Sequence, residues 1–171
     1  MTWAPPSAQE RLGLLQRSRS VAIVGASDNP ARASFFVATY LLTSTDYTVY
    51  FVNPRVEVIL GHSVYPSLSA LPEAPDIVDA FRRADDMPGV LDESLAAGAT
   101  TLWMQLGITH EDTAERGSQA GINVVMDRCI KIEHARFHRG LHYAGFNTGV
   151  ITSRRRVSGP SAGGEAPPDK G

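Results

Sequence analysis

The amino-acid sequence predicts an α/β fold, a single domain built on a doubly wound parallel sheet. Two observations lead to this prediction. Short apolar runs rich in β-branched residues alternate along the chain with amphipathic stretches of helical length. The chain has 171 residues, which is enough for one domain with a proper core and too few for two ordinary domains. Strands that alternate with helices form a parallel sheet with helices on both faces.

The first predicted strand is Ser20 to Gly25, where the apolar run SVAIVG ends in a glycine. A short amphipathic helix precedes it over Ser7 to Arg17. A second helix follows over Ser34 to Leu42, with Ser34 as its cap. The later elements continue the alternation, with strands at Thr48–Val52, Asp76–Phe81, Thr101–Gln105 and Ile122–Met126, and helices at Asp85–Ala97 and Glu111–Ala120. A proline-rich connection is predicted between the second and third strands.

Composition narrows the classes of function. Hydrophobic residues make up 43% of the chain and charged residues 20%, as in ordinary globular proteins. The formal net charge of −2 favours neither nucleic acid nor an anionic membrane as a partner. The sequence shows neither an apolar run of membrane-spanning length nor a signal-peptide pattern, so we expect a cytoplasmic protein. The single cysteine, Cys129, cannot form an internal disulfide, which fits a reducing compartment.

The sequence divides into four parts by composition. A helical lead-in covers residues 1–19, the main domain 20–138, a C-terminal extension 139–156 and a flexible tail 157–171. Within the extension, Gly145–Val150 would dock on the domain or against a second copy. The basic run Arg154–Arg156 is either a solvated end or a contact for a partner. A homodimer and an unknown protein partner therefore both stay open.

The residues that follow the strands are the candidate site, because ligands of doubly wound sheets bind at the carboxyl ends of the strands. After the first strand, Gly25, Ala26 and Ser27 form a turn that can offer N–H groups and a hydroxyl to a phosphate, with Arg32 adding positive charge. The same turn is also an ordinary way to end a strand. The residues after the other strands that share this edge are Asn53, Pro54, Arg55, Arg82, Arg83, Leu106, Gly107, Asp127, Arg128 and Cys129.

Several of these residues also have a structural interpretation. Arg82 and Arg83 would be solvated surface charges, and Asp127 would pair with Arg128. Cys129 would be a small buried apolar group. The alternative is that it acts as a nucleophile or forms a disulfide with a thiol ligand. His134, His138 and His142 have the spacing of one helical face, but no carboxylate or cysteine completes a ligand set, so no metal site is predicted.

The first turn departs from the dinucleotide fingerprint. Ser27 and Pro30 stand where the second and third glycines of G-x-G-x-x-G belong. The second strand is followed by Asn53, Pro54 and Arg55 and lacks the acidic residue that binds a ribose hydroxyl. These departures disfavour NAD and leave NADP open.

Several segments in order resemble a known family, the small stand-alone coenzyme A-binding proteins, which are related in fold to the N-terminal domain of the succinyl-CoA synthetase α subunit. The resemblance covers Ser20 to His134. The segments that carry it are VAIVGASDNPARASF (21–35), VNPRVEVILGHSVYPSL (52–68), DIVDAFRR (76–83), GATTLWMQLGI (98–108) and AGINVVMDRCIKIEH (120–134).

The resemblance implies a Rossmann-like fold and a place for each part of the ligand. Gly25 to Ser27 and Arg32 would meet the phosphates of coenzyme A. The 3′-phosphoadenosine would lie by Asn53 to Arg55, with Phe81 and Arg82 beside the nucleotide. The pantetheine arm would be lined by Gln105, Leu106 and Gly107.

The synthetase α subunit also has a domain with a phosphorylated histidine, and it works with a β subunit. We find neither in this sequence, so its ligase activity is not implied. The expected function is the non-covalent binding of coenzyme A or an acyl-CoA, without a catalytic activity. The alternative is an NADP-dependent oxidoreductase.

Overall fold

The computed structural model describes residues 2–143, and side chains as far as His138. The segment Gly145–Val150, the run Arg154–Arg156 and the tail predicted at 157–171 lie outside the described residues, as does the His142 side chain. Among the described residues, no helix combines the length and the apolar character that crossing a membrane requires.

Seven strands form one sheet, which is parallel except at one edge. In chain order the strands are β1 Ser20–Val24, β2 Thr48–Val52, β3 Val58–Ile59, β4 His62–Tyr65, β5 Ile77–Ala80, β6 Thr101–Met104 and β7 Asn123–Val125. The helices are α1 Ala8–Arg17, α2 Ala33–Ser44, α3 Met87–Ala96, α4 Glu111–Gln119 and α5 Ile130–Tyr143, and single 3₁₀ turns lie at Leu68–Ala70 and Ala84–Asp86. The prediction of a doubly wound α/β fold is confirmed.

The strand order in space is β3-β4-β2-β1-β5-β6-β7. From β1 the chain moves outward to β2 and β4, and then returns to β5 on the other side of β1 before continuing to β6 and β7. The order therefore reverses between β1 and β5, which pair in parallel from Val21–Ile77 to Val24–Ala80. Because ligands of such sheets bind at this reversal, the carboxyl ends of β1 and β5 mark the place to look for a site.

Different helices cover the two faces of the sheet. Side chains alternate between the faces of a strand. One face packs against α3 and α4 in a core cluster whose members include Ala22, Val24, Val78, Ala80, Leu102, Met104, Met87, Leu91 and Ala114. Ile23, Phe51 and Trp103 are fully buried on the other face, toward α1, α2 and the first turns of α5. The central strands β1, β5 and β6 are thus buried on both faces.

The connection after β2 contains two strands that the sequence did not predict. Leu60 and Gly61 both have positive φ values, 49° and 77°, as in the two-residue turn of a tight hairpin, and they join β3 to β4. The antiparallel β3–β4 pair extends the sheet beyond β2. These strands escaped prediction because they are two and four residues long and partly exposed, with His62 and Ser63 in place of an apolar run.

The helix ends also correct the sequence prediction. Ser34 is not the cap of α2, because the N-cap position is Arg32 and Ser34 is buried inside the first turn. Helix α1 has Ser7 as its N-cap, and a capping box joins Ser7 to Glu10. Helix α5, which begins at Ile130, was considered for its histidine spacing but was not predicted as an element of the fold.

Candidate functional site

The turn after β1 presses against the end of β5. Gly25 has φ +81°, a conformation that favours glycine, and a Cβ added there would lie 2.6 Å from the carbonyl oxygen of Phe81. The Phe81 N–H in turn donates to the Val24 carbonyl at 2.8 Å. Gly25 therefore lets the ends of β1 and β5 come into contact at the point where the strand order reverses.

The turn has fewer free N–H groups than the sequence suggested. The N–H groups of Gly25 and Ala26 both donate to the Val52 carbonyl, at 3.1 and 3.4 Å, because this strand end still pairs with β2. They are thus taken up by the sheet and unavailable to a phosphate. The Ser27 hydroxyl accepts from the Asn29 N–H at 3.1 Å, and the Asn29 side chain accepts from Ala31 at 3.0 Å.

Four N–H groups nearby lack such partners. Within the described part of the chain, the backbone N–H groups of Ser27, Asp28, Ala33 and Ser34 make no hydrogen bond. The last two belong to the first turn of α2, where the helix dipole adds partial positive charge. The free N–H groups of this turn therefore lie two residues beyond Gly25 and at the start of α2.

Three exposed arginines flank this turn. Arg32 precedes α2, Arg55 follows β2 and Arg82 follows β5. The Arg82 Cγ atom comes within 3.5 Å of where a Gly25 Cβ would be, so its side chain passes over the turn. Among the residues described, none of the three forms an ion pair. This end of the sheet therefore presents three exposed arginines without an ion-pair partner among the described residues.

Asn53 ties the loops after β1 and β2 together. Its Nδ2 atom donates to the Ala26 carbonyl at 2.7 Å, and its Oδ1 atom accepts from the Arg55 N–H at 2.8 Å. The Asn53 side chain thus stabilises the turn after β1 through these hydrogen bonds. Pro54 and Arg55, which follow it, are exposed at the rim.

The loops after β6 and β7 are also joined, and Asp127 does not pair with Arg128. The Gly107 N–H donates to the Asp127 carboxylate at 2.7 Å, and the Asp127 N–H donates to the Ile108 carbonyl at 3.1 Å. Asp127 adopts a positive φ of 56° to make both contacts. The pairing with Arg128 suggested by sequence adjacency is therefore wrong.

Arg128 instead belongs to a partly buried ion-pair network. Its Nη1 atom lies 3.1 Å from Glu133 Oε1, and the buried Arg11 of α1 bonds the other Glu133 oxygen at 3.0 Å. The Trp103 indole N–H donates to the Arg128 carbonyl at 2.8 Å. Arg128 is thus held at the rim by α1, α5 and β6 together.

Gln105, a predicted site residue, forms a buried polar pair with Asp79, which the sequence did not single out. Asp79 lies in β5 and is fully buried, and its Oδ1 atom accepts a hydrogen bond from Gln105 Nε2. Asp79 Oδ2 has no hydrogen-bond partner within the described residues. Burial raises the pKa of the Asp79 carboxyl to about 8, although the Gln105 hydrogen bond acts in the opposite direction. The signal available in the sequence was an acidic residue inside the apolar strand run DIVDAF.

The remaining predicted site residues lie at the same edge of the sheet. Leu106 follows β6 and is 65% exposed, whereas Phe81 is partly buried at the end of β5. Cys129 is a free, partly exposed cysteine just before α5. His134 Nδ1 lies 2.8 Å from the Tyr40 hydroxyl, and no metal-binding group of three or more side chains occurs among the described residues.

The fold and this edge of the sheet define a class of protein, a Rossmann-like α/β domain with exposed arginines and free backbone N–H groups at the reversal of strand order. A family model described as a CoA binding domain matches residues 19–135, and the chain belongs to this family.

Similar proteins agree with this placement. The uncharacterized protein YneT of Bacillus subtilis is 38% identical over 130 residues, which is 76% of this chain and 96% of YneT. The solved structure of cell-free ID.343 from Thermus thermophilus is 35% identical with a TM-score of 0.72 and covers 77% of this chain and 98% of that one.

A larger enzyme contains a similar domain. The apo form of the dinucleotide-forming acetyl-coenzyme A synthetase 1 of Ca. Korarchaeum cryptofilum is 26% identical, with a TM-score of 0.58. The likeness covers 66% of this chain and only 27% of the synthetase, so it concerns one part of that enzyme.

Proposed function

We propose that this protein binds coenzyme A or an acyl-CoA non-covalently at the crevice between the ends of β1 and β5. The observation that carries the proposal is a set of three exposed arginines, Arg32, Arg55 and Arg82, around the free N–H groups at the start of α2. None of the three forms an ion pair among the described residues. Coenzyme A carries a pyrophosphate and a ribose phosphate, and guanidinium groups and helix N-termini both favour phosphate. Membership of the CoA binding domain family supports the same ligand.

The charges along the edge suggest how the ligand lies. The pyrophosphate would meet the start of α2 and Arg32, and the phosphorylated adenosine would lie by Pro54 and Arg55. The segment after β6, from Gln105 to Gly107, is uncharged. The uncharged pantetheine arm would therefore extend across the end of β5 to this segment.

The proposed role is binding without catalysis. The groups near the turn are hydrogen-bond donors and fixed positive charges, which hold an anion. An NADP-dependent oxidoreductase is the competing function, because NADP also carries a pyrophosphate and a ribose phosphate.

Isothermal titration with coenzyme A, acetyl-CoA and NADPH tests the proposal. We expect coenzyme A and acetyl-CoA to bind at micromolar concentration or below, and NADPH to bind at least about tenfold more weakly, a difference of about 1.4 kcal/mol. Binding of NADPH without binding of coenzyme A would overturn the proposal. Mass spectrometry of ligand that co-purifies with the protein would identify the acyl group.

Replacing Arg32 should weaken coenzyme A binding selectively. In Arg32→Ala we expect the dissociation constant to rise by about tenfold, because a charge-assisted hydrogen bond to phosphate contributes about 1.5–3 kcal/mol. Arg19 is the matched control, since it is exposed just before β1, at the opposite end of the strands. Arg19→Ala removes the same charge and should change the constant less than about twofold, because exposed charges farther apart than the Debye length are screened. Equal losses in the two variants would remove Arg32 from the phosphate site.

A further inference from the structure

The buried pair of Asp79 and Gln105 lies beneath the uncharged part of the crevice edge. Asp79 is the third residue of β5, and Gln105 directly follows β6, the strand that pairs with β5 in parallel. Trp103 is the register partner of Asp79, and side chains two apart on a strand share a face, so Gln105 lies on the Asp79 face. Both residues thus lie on the same side of the sheet, where β5 and β6 end.

Gln105 is the member of the pair that reaches the surface. It is 4% exposed, whereas Asp79 has no exposed surface at all. Its Nε2 atom donates to Asp79, and its Oε1 atom accepts no hydrogen bond within the described residues. Among the described residues, the buried side-chain atoms without a partner are Asp79 Oδ2 and Thr101 Oγ1, so Gln105 Oε1 is open to the surface. This acceptor can therefore take a hydrogen bond from a ligand in place of water.

The charges around the crevice indicate which part of a ligand supplies that donor. The turns after β1, β2 and β5 carry Arg32, Arg55 and Arg82, and phosphates belong there. The six residues that follow β6, Gln105 to His110, include no Asp, Glu, Lys or Arg. An uncharged donor such as the N–H of an amide suits this position, and the pantetheine arm of coenzyme A contains such amides.

We propose that Asp79 is a positioning residue for ligand binding, which fixes the Gln105 amide so that its Oε1 atom accepts a hydrogen bond from the amide-bearing arm of the ligand. The inference rests on the proposed binding of coenzyme A. It adds a residue that does not touch the ligand and acts on it through Gln105.

The chemistry of Asp79 suits this role. Desolvation in the strand interior raises its pKa to about 8, so the carboxyl is neutral at neutral pH and places no buried charge beside the ligand. On the elements that follow β5, β6 and β7, the charged groups at this end of the sheet include Arg82, Arg83, Asp127, Arg128 and Glu133. Asp127 is held by Gly107, and Arg128 pairs with Glu133. Among the residues described, Asp79 itself forms no ion pair.

Isothermal titration of variants with two ligands tests the inference. The ligands are coenzyme A and its phosphorylated ADP portion, which lacks the pantetheine arm. Gln105→Met removes the amide, Asp79→Leu removes the acceptor that holds it, and Asp79→Asn keeps a carbonyl acceptor. Thr101→Val is the matched control, because Thr101 is a fully buried residue of β6 whose hydroxyl also lacks a partner, at the other end of the strand.

We expect Gln105→Met and Asp79→Leu each to weaken coenzyme A by about fivefold, the value of one neutral hydrogen bond, and to leave the fragment's affinity unchanged. The double variant should lose no more than either single variant, because both remove the same contact. Asp79→Asn and Thr101→Val should bind both ligands as the wild type does.

Three results would overturn the inference. In the first, Gln105→Met binds coenzyme A like the wild type, which leaves the proposed function intact. In the second, the coenzyme A and fragment affinities fall together, or Asp79→Asn loses as much as Gln105→Met. In the third, the wild type does not bind coenzyme A, and the proposed function fails with the inference. If Asp79→Leu does not fold, Asp79→Asn and Gln105→Met still decide the outcome.

Discussion

Replacing Gly25 with alanine should destabilise the protein by about 2–5 kcal/mol. The positive φ of 81° costs a side-chain-bearing residue about 1–2 kcal/mol, and overpacking adds about 1–3 kcal/mol. The overpacking arises because the new Cβ would lie 2.6 Å from the Phe81 carbonyl oxygen, so the ends of β1 and β5 must separate. Urea unfolding of Gly25→Ala and the wild type measures the loss. Because Arg82 follows Phe81, we also expect coenzyme A affinity to fall.

Gly121→Ala separates the two causes. Gly121 has a similar φ of 87°, but no atom lies within 4 Å of the position of its Cβ. This variant should therefore lose only the conformational part, about 1–2 kcal/mol, and keep its ligand affinity. If the two variants lost equal stability, the contact between Gly25 and Phe81 would not be the reason for glycine at this turn.

Replacing Asp79 with asparagine should remove a pH dependence from the stability of the fold. The folded carboxyl has a pKa of about 8, and the unfolded value is about 3.9. Between these values the folded state binds more protons than the unfolded state, so the wild-type free energy of unfolding falls as pH rises, by at most about 1.4 kcal/mol per pH unit from this group. The stability that this group contributes is therefore complete below about pH 4 and lost as pH rises to 8.

Denaturant unfolding across this pH range measures the difference between Asp79→Asn and the wild type. The two proteins should have similar free energies of unfolding near pH 4. As the pH rises toward 8, the variant should become more stable than the wild type by several kcal/mol. The Thr101→Val variant changes a buried polar group that does not titrate, so its difference from the wild type should be constant with pH. A constant difference for Asp79→Asn as well would mean that the Asp79 carboxyl is not held neutral by burial.

The predicted and observed strands agree where the chain is both apolar and buried on two sides. β1 and the turn at Gly25 were predictable because a β-branched run and a glycine occupy neighbouring positions. β3 and β4 were not, because short strands that are half open to solvent require no apolar run. The helix cap at Ser34 was misplaced because the loop turns through Asn29 and Arg32, two residues earlier than the local pattern suggests.

Five strands, four helices, the turn at Gly25 and the family resemblance could be read from the sequence alone, whereas β3, β4 and α5 could not. These properties are encoded by neighbouring residues and by motifs that keep their spacing. Only the tertiary structure decided which side chains share a contact. Asn53 meets Ala26 across 27 residues, Gln105 meets Asp79 across 26, and Glu133 meets Arg11 across 122. Such pairs depend on the register and order of the strands, which bring distant residues together at one edge of the sheet.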